Sequence, residues 1–170
     1  MIHGFAPIAA YNAKVLVLGT IPGRQSLDKG QYYANPQNAF WFIMEGLFHG
    51  EGPSPDYEGR TRLLTSAGVA LWDVLLAAER ERSVDSSIVS GTEVANDFQN
   101  FFSRHKQIRN LFFNGARAEA LFRRFALPYL PQLMPLSMIR LPSTSPANAR
   151  LTKTEKLTAW RIVADVLKRP

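Results

Sequence analysis

Short apolar runs typical of buried strands alternate with helix-like segments along this chain, and this alternation most constrains its fold. The strand-like runs cover residues 14–19, 69–74, 108–113 and 138–141. The helix-like segments cover residues 40–48, 92–102, 116–125 and 152–167. Alternating strands and helices build a parallel or mostly parallel sheet that is covered on both faces. We expect one domain over residues 1–170, a three-layer α/β/α sandwich around a central, mostly parallel four-stranded sheet.

Polar and turn-forming residues set the expected boundaries of these elements. Thr92 is expected to cap the helix over 94–102, and Thr152 is expected to cap the last helix. Residues 51–59 contain two prolines and two glycines and are predicted to form a loop. Residues 83–91 are polar and are also predicted to form a loop.

The composition excludes several classes of chemistry. The 170 residues include no cysteine, which excludes disulfides, thiol catalysis and cysteine-bound zinc or iron–sulfur clusters. The three histidines, at positions 3, 49 and 105, lack the spacing of metal ligands. We therefore expect no metal and no cofactor. The apolar stretches are too short to cross a bilayer, so we expect a cytoplasmic protein without membrane association, and by default a monomer.

The charge balance favours a polyanionic partner. The formal net charge is +6, and the isoelectric point is about 9.9. Contacts between basic side chains and phosphates release condensed counterions, which favours binding to nucleic acid. Many basic proteins bind no nucleic acid, so the charge supports a DNA partner only together with other features.

A glycine-rich turn follows the first predicted strand. Residues 19–23 are Gly-Thr-Ile-Pro-Gly, and in parallel α/β sheets ligands bind outside the carboxyl ends of the strands. Glycines let the chain turn sharply and bring backbone N–H groups close to a ligand. The turn has neither the lysine of a phosphate-binding loop nor the dinucleotide fingerprint. Taken alone, it also fits an ordinary strand-to-loop connection.

Residues 31–41, the aromatic segment, combine aromatic rings with side-chain amides. An aromatic face can stack on a nucleobase, and an amide can bond to its polar edge. We therefore assign Tyr33 and Asn38 to ligand contact, and we expect Phe40 and Trp41 in the core of the following helix. The alternative for Asn38 is a cap at the start of that helix.

Residues 141–149, the serine loop, place small hydroxyl side chains between prolines. Ser143, Thr144 and Ser145 lie between Pro142 and Pro146, which gives a stiff loop rich in donors and suited to gripping phosphates. A rigid surface turn is the alternative. Both this loop and the turn at residues 19–23 leave the carboxyl ends of predicted strands, which places them at one edge of the sheet.

These three segments, in this order and spacing, resemble the uracil-DNA glycosylase superfamily. GTIPG, YYANPQNAFW and LPSTSPANA are similar to motifs of that family, with further agreement in residues 68–74, 82–88 and 113–115. The combination is similar to its hypoxanthine-DNA glycosylase branch. Two positions depart from the wider family. Ile21 stands where the mismatch-specific branch has asparagine, and Asn35 stands where a histidine is usual.

The resemblance implies a monofunctional DNA-repair glycosylase that acts on DNA containing a deaminated base, hypoxanthine first. Such an enzyme flips the base out of the duplex and hydrolyses its N-glycosidic bond. The resemblance assigns catalysis to Asn38, because Ile21 cannot supply an amide. It assigns base contacts to Thr20, Ile21, Gly23, Tyr33 and Asn35. It assigns DNA contacts to Ser143, Thr144, Ser145 and Pro146.

Other functions stay open from the sequence. The same fold could act on uracil or on mismatched thymine, although Ile21 argues against efficient uracil excision. A non-catalytic DNA- or nucleotide-binding module could retain the fold, and an Asn38 turned outward as a helix cap would favour it. A nucleoside hydrolase would need an acidic metal cluster. We expect Asp73 and Asp85 to be loop or cap residues and residues 80–82 to form a solvated charged face.

Overall fold

The computed structural model describes all 170 residues. Seven strands and six helices follow one another along the chain. The strands are β1 (Ile2–His3), β2 (Val15–Gly19), β3 (Val69–Asp73), β4 (Leu75–Ala78), β5 (Val94–Ala95), β6 (Asn110–Asn114) and β7 (Ser137–Leu141). The helices are α1 (Arg24–Lys29), α2 (Phe40–Phe48), α3 (Tyr57–Ala67), α4 (Phe98–Arg104), α5 (Ala116–Phe125) and α6 (Lys153–Leu167). Short 3₁₀ turns lie at Asp85–Ser87 and Leu127–Tyr129.

The central sheet has four strands in the order β3-β2-β6-β7, and every neighbouring pair is parallel. All residues of β2 and β3 are buried, as expected for parallel strands that are covered on both faces. Gly19 is aligned with Asp73, and Asn114 is aligned with Leu141, so the four strands end together at one edge of the sheet. The predicted parallel sheet is confirmed.

Helices cover both faces of the sheet and complete the predicted α/β/α sandwich. Successive residues of a strand point to opposite faces, and β6 shows this directly. Phe113 belongs to the core under α4 and α5, where its ring lies 5.4 Å from that of Phe122. Phe112 belongs to the other core, with Phe40 of α2 and Trp160 of α6. Burial of large apolar side chains on both faces stabilises the sheet in place.

Three helices agree with the sequence prediction in both position and length. Helix α2 covers Phe40–Phe48 and α5 covers Ala116–Phe125. Helix α6 begins at a capping box, in which the Thr152 hydroxyl accepts from the Glu155 N–H and the Glu155 carboxylate accepts from the Thr152 N–H. These reciprocal bonds satisfy two N–H groups that the first turn of a helix leaves unpaired.

Two predicted boundaries are wrong. Thr92 does not cap a helix, because α4 begins at Phe98 and its cap is Asp97, which accepts from the Asn100 N–H at 3.0 Å. The Thr92 hydroxyl instead accepts from the Glu79 N–H, beside strands β4 and β5. The loop predicted over residues 51–59 ends at Asp56, whose carboxylate caps α3.

A second, antiparallel sheet joins β1, β4 and β5 in the order β1-β4-β5. Strands β1 and β5 have two residues each, too few for a recognisable alternation in the sequence. The segment after β4 includes Arg80 and the 3₁₀ turn at Asp85–Ser87. It contacts the turn that follows β2, because the Arg80 guanidinium donates to the Pro22 carbonyl. None of the helices combines the length and apolar composition needed to cross a membrane.

Candidate active site

At the carboxyl edge of the central sheet, Asn114, the last residue of β6, joins two of the three sequence motifs. The Asn114 Nδ2 donates to the Tyr33 hydroxyl at 3.0 Å and to the Thr144 Oγ1 at 2.9 Å. The Asn114 Oδ1 accepts from the Thr144 N–H at 2.9 Å. One side chain thus joins the aromatic segment to the serine loop, and both to the sheet.

Gly19 ends β2 at the closest approach of these groups. A Cβ on Gly19 would lie 2.5 Å from the Asp73 Oδ1 and 2.6 Å from the Tyr33 hydroxyl oxygen. A larger residue would have to displace both side chains, so glycine suits this position. The strand end, the Asp73 carboxylate and the Tyr33 hydroxyl therefore meet in one small volume.

Tyr33 has a left-handed backbone with a φ of 51°, which is strained for a large L-residue. Its ring stacks on Phe40, with a centroid distance of 4.1 Å and an interplanar angle of 23°. Burial raises the pKa of the Tyr33 hydroxyl, and the nearby Asp73 raises it further. The hydroxyl is therefore a proton donor over the whole physiological range. Phe40, by contrast, is fully buried in the core, as predicted.

Tyr33, Asn35 and Asn38 line one cavity of about 670 Å³. The Asn38 Oδ1 accepts from the Phe40 N–H at 2.9 Å, a local bond in the turn before α2, whose N-cap position is Ala39. Its NH₂ group has no acceptor in the chain. The Asn35 Oδ1 accepts from the Gln37 N–H at 2.9 Å and so tightens the loop before α2. Asn38 thus lies one residue before the N-cap of α2 and lines the cavity.

In the turn at residues 19–23, the side chains of Thr20 and Ile21 are both buried. Ile21 packs into the core under α4 and α5 and is 6% exposed. Thr20 is also buried and lies near Asp85, whose pKa it lowers. The groups that this turn can offer to a ligand are therefore backbone N–H groups, including that of Gly23, which is only partly buried.

The serine loop is fixed from below. Thr144 is fully buried, and its carbonyl accepts from the Ala39 N–H at 2.9 Å. The ammonium of Lys156, itself 4% exposed, donates to the Ser145 carbonyl at 3.0 Å. Ser143 and Ser145 are partly exposed, and Pro146 is exposed. The loop thus presents two hydroxyls and a proline on a rigid base.

Asp73, Arg80 and Asp85 form a buried group under the turn, which the sequence analysis did not assign to the site. The expectation that Asp73 is a loop or cap residue is wrong, because it is the last residue of β3 and 4% exposed. Burial, and then the Asp85 charge, raise its pKa to about 7, against the effect of Arg80. Arg80 is partly buried rather than solvated, and its Nη2 donates to the Pro22 carbonyl at 2.8 Å.

Asn114 was also missed as a site residue. Asn114 and Asp73 are single polar residues at the ends of apolar runs, in segments 113–115 and 68–74 that agree with the family but were assigned no role in the site. The rule that ligands bind at the carboxyl ends of parallel strands applies to all of them. Applied to the second and third strands as well as to the first and fourth, it would have pointed to both residues.

Comparison with known proteins gives the family. A family model of the Uracil DNA glycosylase superfamily matches residues 6–166. The chain belongs to the uracil DNA glycosylase superfamily. It is 34% identical over 164 residues to a hypoxanthine DNA glycosylase of Methanosarcina acetivorans, covering 95% of this chain and 96% of that protein. It is 31% identical over 170 residues to the hypoxanthine DNA glycosylase of Methanosarcina barkeri, covering 98% of each.

A solved structure within the superfamily has the same fold. The solution NMR structure of a Methanosarcina acetivorans protein, described as a candidate uracil DNA glycosylase, superposes with a TM-score of 0.78 at 32% identity. The match covers 98% of each chain. The resemblance seen in the three motifs is thus confirmed over the whole length. Ile21 is buried and carries no amide, so the turn at residues 19–23 offers no side-chain amide to a ligand.

Proposed function

We propose that this protein is a monofunctional DNA glycosylase that excises hypoxanthine from DNA. The observation that carries the proposal is the Asn114 network, which joins the aromatic segment and the serine loop at the carboxyl edge of the sheet. Both curated relatives named above are hypoxanthine DNA glycosylases. All of these residues belong to one chain, and we propose that a monomer acts on DNA containing a deaminated base.

The flipped base would bind against Tyr33. One face of the Tyr33 ring is covered by Phe40, and the residue also lines the cavity beside Asn38. Hypoxanthine, like guanine, presents N7 and O6 acceptors, which the Asn38 NH₂ can bond. Backbone N–H groups of Thr20, Ile21 and Gly23 would bond the base carbonyl and take up negative charge on the leaving base.

The reaction is hydrolysis of the bond between C1′ and the base nitrogen. The bond breaks with its electron pair going to the base, and the sugar passes through an oxocarbenium-like state. The water oxygen then bonds to C1′, and its proton is transferred to the departing base. We assign Asn38 the catalytic part, bonding the base or placing the water. Asn35, which is held by its own turn, borders the base and cannot act as a titrating acid or base.

The serine loop would hold the DNA backbone. Ser143 and Ser145 are the hydroxyls available to flanking phosphates, and Pro146 is the exposed residue that can enter the vacated stack. Thr144 contributes by fixing the loop to Asn114 rather than through a free side chain. The net charge of +6 supports binding to the phosphate backbone.

The test is strand cleavage by alkali after incubation with labelled duplexes that carry one deoxyinosine, one deoxyuridine or one G·T mismatch. We expect cleavage at deoxyinosine and its loss in Asn38→Ala. Because Ala also removes the oxygen that accepts from the Phe40 N–H, Asn38→Ser provides a second variant that keeps an acceptor oxygen at this position. Asn12→Ala, at an exposed position in a turn, is the matched control and should cleave like the wild type.

The other results separate the alternatives. Cleavage at deoxyuridine alone would support a DNA glycosylase whose substrate is uracil rather than hypoxanthine. Binding to all duplexes without cleavage would support a non-catalytic module of the same fold. Full cleavage by Asn38→Ser would remove Asn38 from catalysis.

A further inference from the structure

The buried group of Asp73, Arg80 and Asp85 contains polar atoms without protein partners. The Asp73 Oδ2 and the Arg80 Nε and Nη1 are buried and make no hydrogen bond within the chain. Leaving a buried polar atom unpaired is costly, and charged atoms cost the most. Structural stability alone does not account for such a group, which lies directly under the turn at residues 19–23.

The position of the Tyr33 hydroxyl gives this group a role. Its oxygen accepts from the Asn114 Nδ2, so its own proton needs a separate acceptor. No acceptor in the chain takes that proton within hydrogen-bond distance. The Asp73 Oδ1 is near, because it lies 2.5 Å from the point where a Gly19 Cβ would be, and the Tyr33 hydroxyl oxygen lies 2.6 Å from the same point. A carboxylate is thus the neighbouring acceptor for this proton.

We propose that Asp73 is a positioning residue of the proposed glycosylase, whose ionised carboxylate accepts the Tyr33 proton through one bridging water. This inference rests on the proposed function of the site. The bond orients Tyr33, which in turn fixes the NH₂ of Asn114 and the Thr144 hydroxyl. Because a bond to an ionised acceptor is about twice as strong as a neutral one, protonation of Asp73 weakens the orientation of the ring.

The charged groups around Asp73 shift its pKa. Asp85 faces it and raises its pKa, whereas Arg80 lowers it. Arg80 is anchored to the Pro22 carbonyl, which links the charge of the group to the turn. Burial raises the pKa of Asp85 itself, against the effects of Thr20, Arg80 and Arg117 of α5. Tyr32 and Tyr33 are the other titratable groups near Asp73. Burial raises the pKa of both hydroxyls, so both stay protonated at physiological pH.

The activity test measures single-turnover excision of hypoxanthine against pH. The wild-type rate should rise with pH and level off, with a midpoint near the Asp73 pKa of about 7. Asp73→Asn should be at least about tenfold slower at pH 8, the loss expected for one hydrogen bond to a charged group. Its rate should also not change across this range. Asp85→Asn should keep the rise but shift its midpoint to lower pH, because Asp85 raises the pKa of Asp73.

A structural test does not depend on activity. The NMR resonances of the Tyr33 ring, assigned with Tyr33→Phe, should titrate together with the Asp73 carboxyl. They should not titrate near pH 7 in Asp73→Asn. Asp165→Asn, an exposed carboxylate on α6, is the matched control and should behave like the wild type in both tests.

The two tests distinguish the possible failures. If the wild type excises no base from any duplex while the Tyr33 ring titrates with Asp73, the coupling stands and the proposed glycosylase function fails. The positioning role is overturned if hypoxanthine is excised but Asp73→Asn keeps the wild-type midpoint of the pH–rate profile. It is also overturned if the NMR resonances of the Tyr33 ring do not change when Asp73 ionises.

Discussion

Replacing Asp73 by asparagine should stabilise the protein at alkaline pH while it slows the proposed reaction. Burial raises the pKa of Asp73 from 3.8 to about 7. The folded protein therefore binds this proton more tightly than the unfolded chain does. The contribution of Asp73 to stability is fully present below about pH 4 and is lost as the pH rises through 7. Asparagine resembles the protonated acid in shape and keeps no charge to bury.

The magnitude follows from the size of this change in pKa. Each tenfold change in proton affinity corresponds to about 1.4 kcal/mol, so a pKa raised from 3.8 to about 7 corresponds to a free energy on the order of 4 kcal/mol. The free energy of unfolding of Asp73→Asn, relative to wild type, should therefore increase by roughly 3 to 4 kcal/mol between pH 4 and pH 8.5. For a domain of this size, the difference in Tm should grow by about 10 °C.

The assay is thermal and urea unfolding of wild type and Asp73→Asn, followed by circular dichroism at several pH values. Other titrating groups are common to both proteins and cancel in the comparison. Asp165→Asn, at an exposed position, should show no comparable pH-dependent gain. A stability difference that does not change with pH would show that Asp73 titrates normally, and the reasoning about the buried group would be refuted.

Three further predictions concern the frame of the site and its partner. Gly19→Ala should destabilise the fold by about 1 to 3 kcal/mol, measured by urea unfolding, because its Cβ would overlap Asp73 and Tyr33; an unchanged midpoint would contradict the close approach. Lys156→Met should weaken binding to duplex DNA roughly threefold to tenfold in fluorescence anisotropy, because it releases the Ser145 carbonyl, whereas Lys168→Met, at the exposed chain end, should not. Affinity for any duplex should fall at least about tenfold between about 50 and 200 mM salt; an affinity that ignores salt would exclude binding through phosphates.

The parts of the fold that the sequence predicted carry strong local signals. The capping box at Thr152 and the apolar run that forms α2 depend only on nearby residues. Strands β1 and β5 are defined by pairing with β4, across long stretches of chain, and two residues cannot show a period. Helix α3 was missed because Leu64 is its only fully buried residue, so its apolar stripe is weak.

In the candidate site, too, the residues with strong local sequence signals were predicted and those defined by tertiary contacts were not. Tyr33, Asn38 and the serine loop stood out because each lies in an unusual cluster of residues. Asp73 and Asn114 are isolated polar residues at strand ends, and only the order of the strands brings them together. Their contacts with Tyr33 and Thr144 depend on tertiary structure, which local patterns do not encode.

The most direct test of the central claim is the release of free base from a duplex with a single deoxyinosine, measured by chromatography with mass spectrometry in ¹⁸O-labelled water. The account predicts that wild type releases hypoxanthine, that the labelled oxygen appears at C1′ of the abasic sugar, and that Asn38→Ser releases little. No free hypoxanthine from a duplex that the protein binds would contradict it.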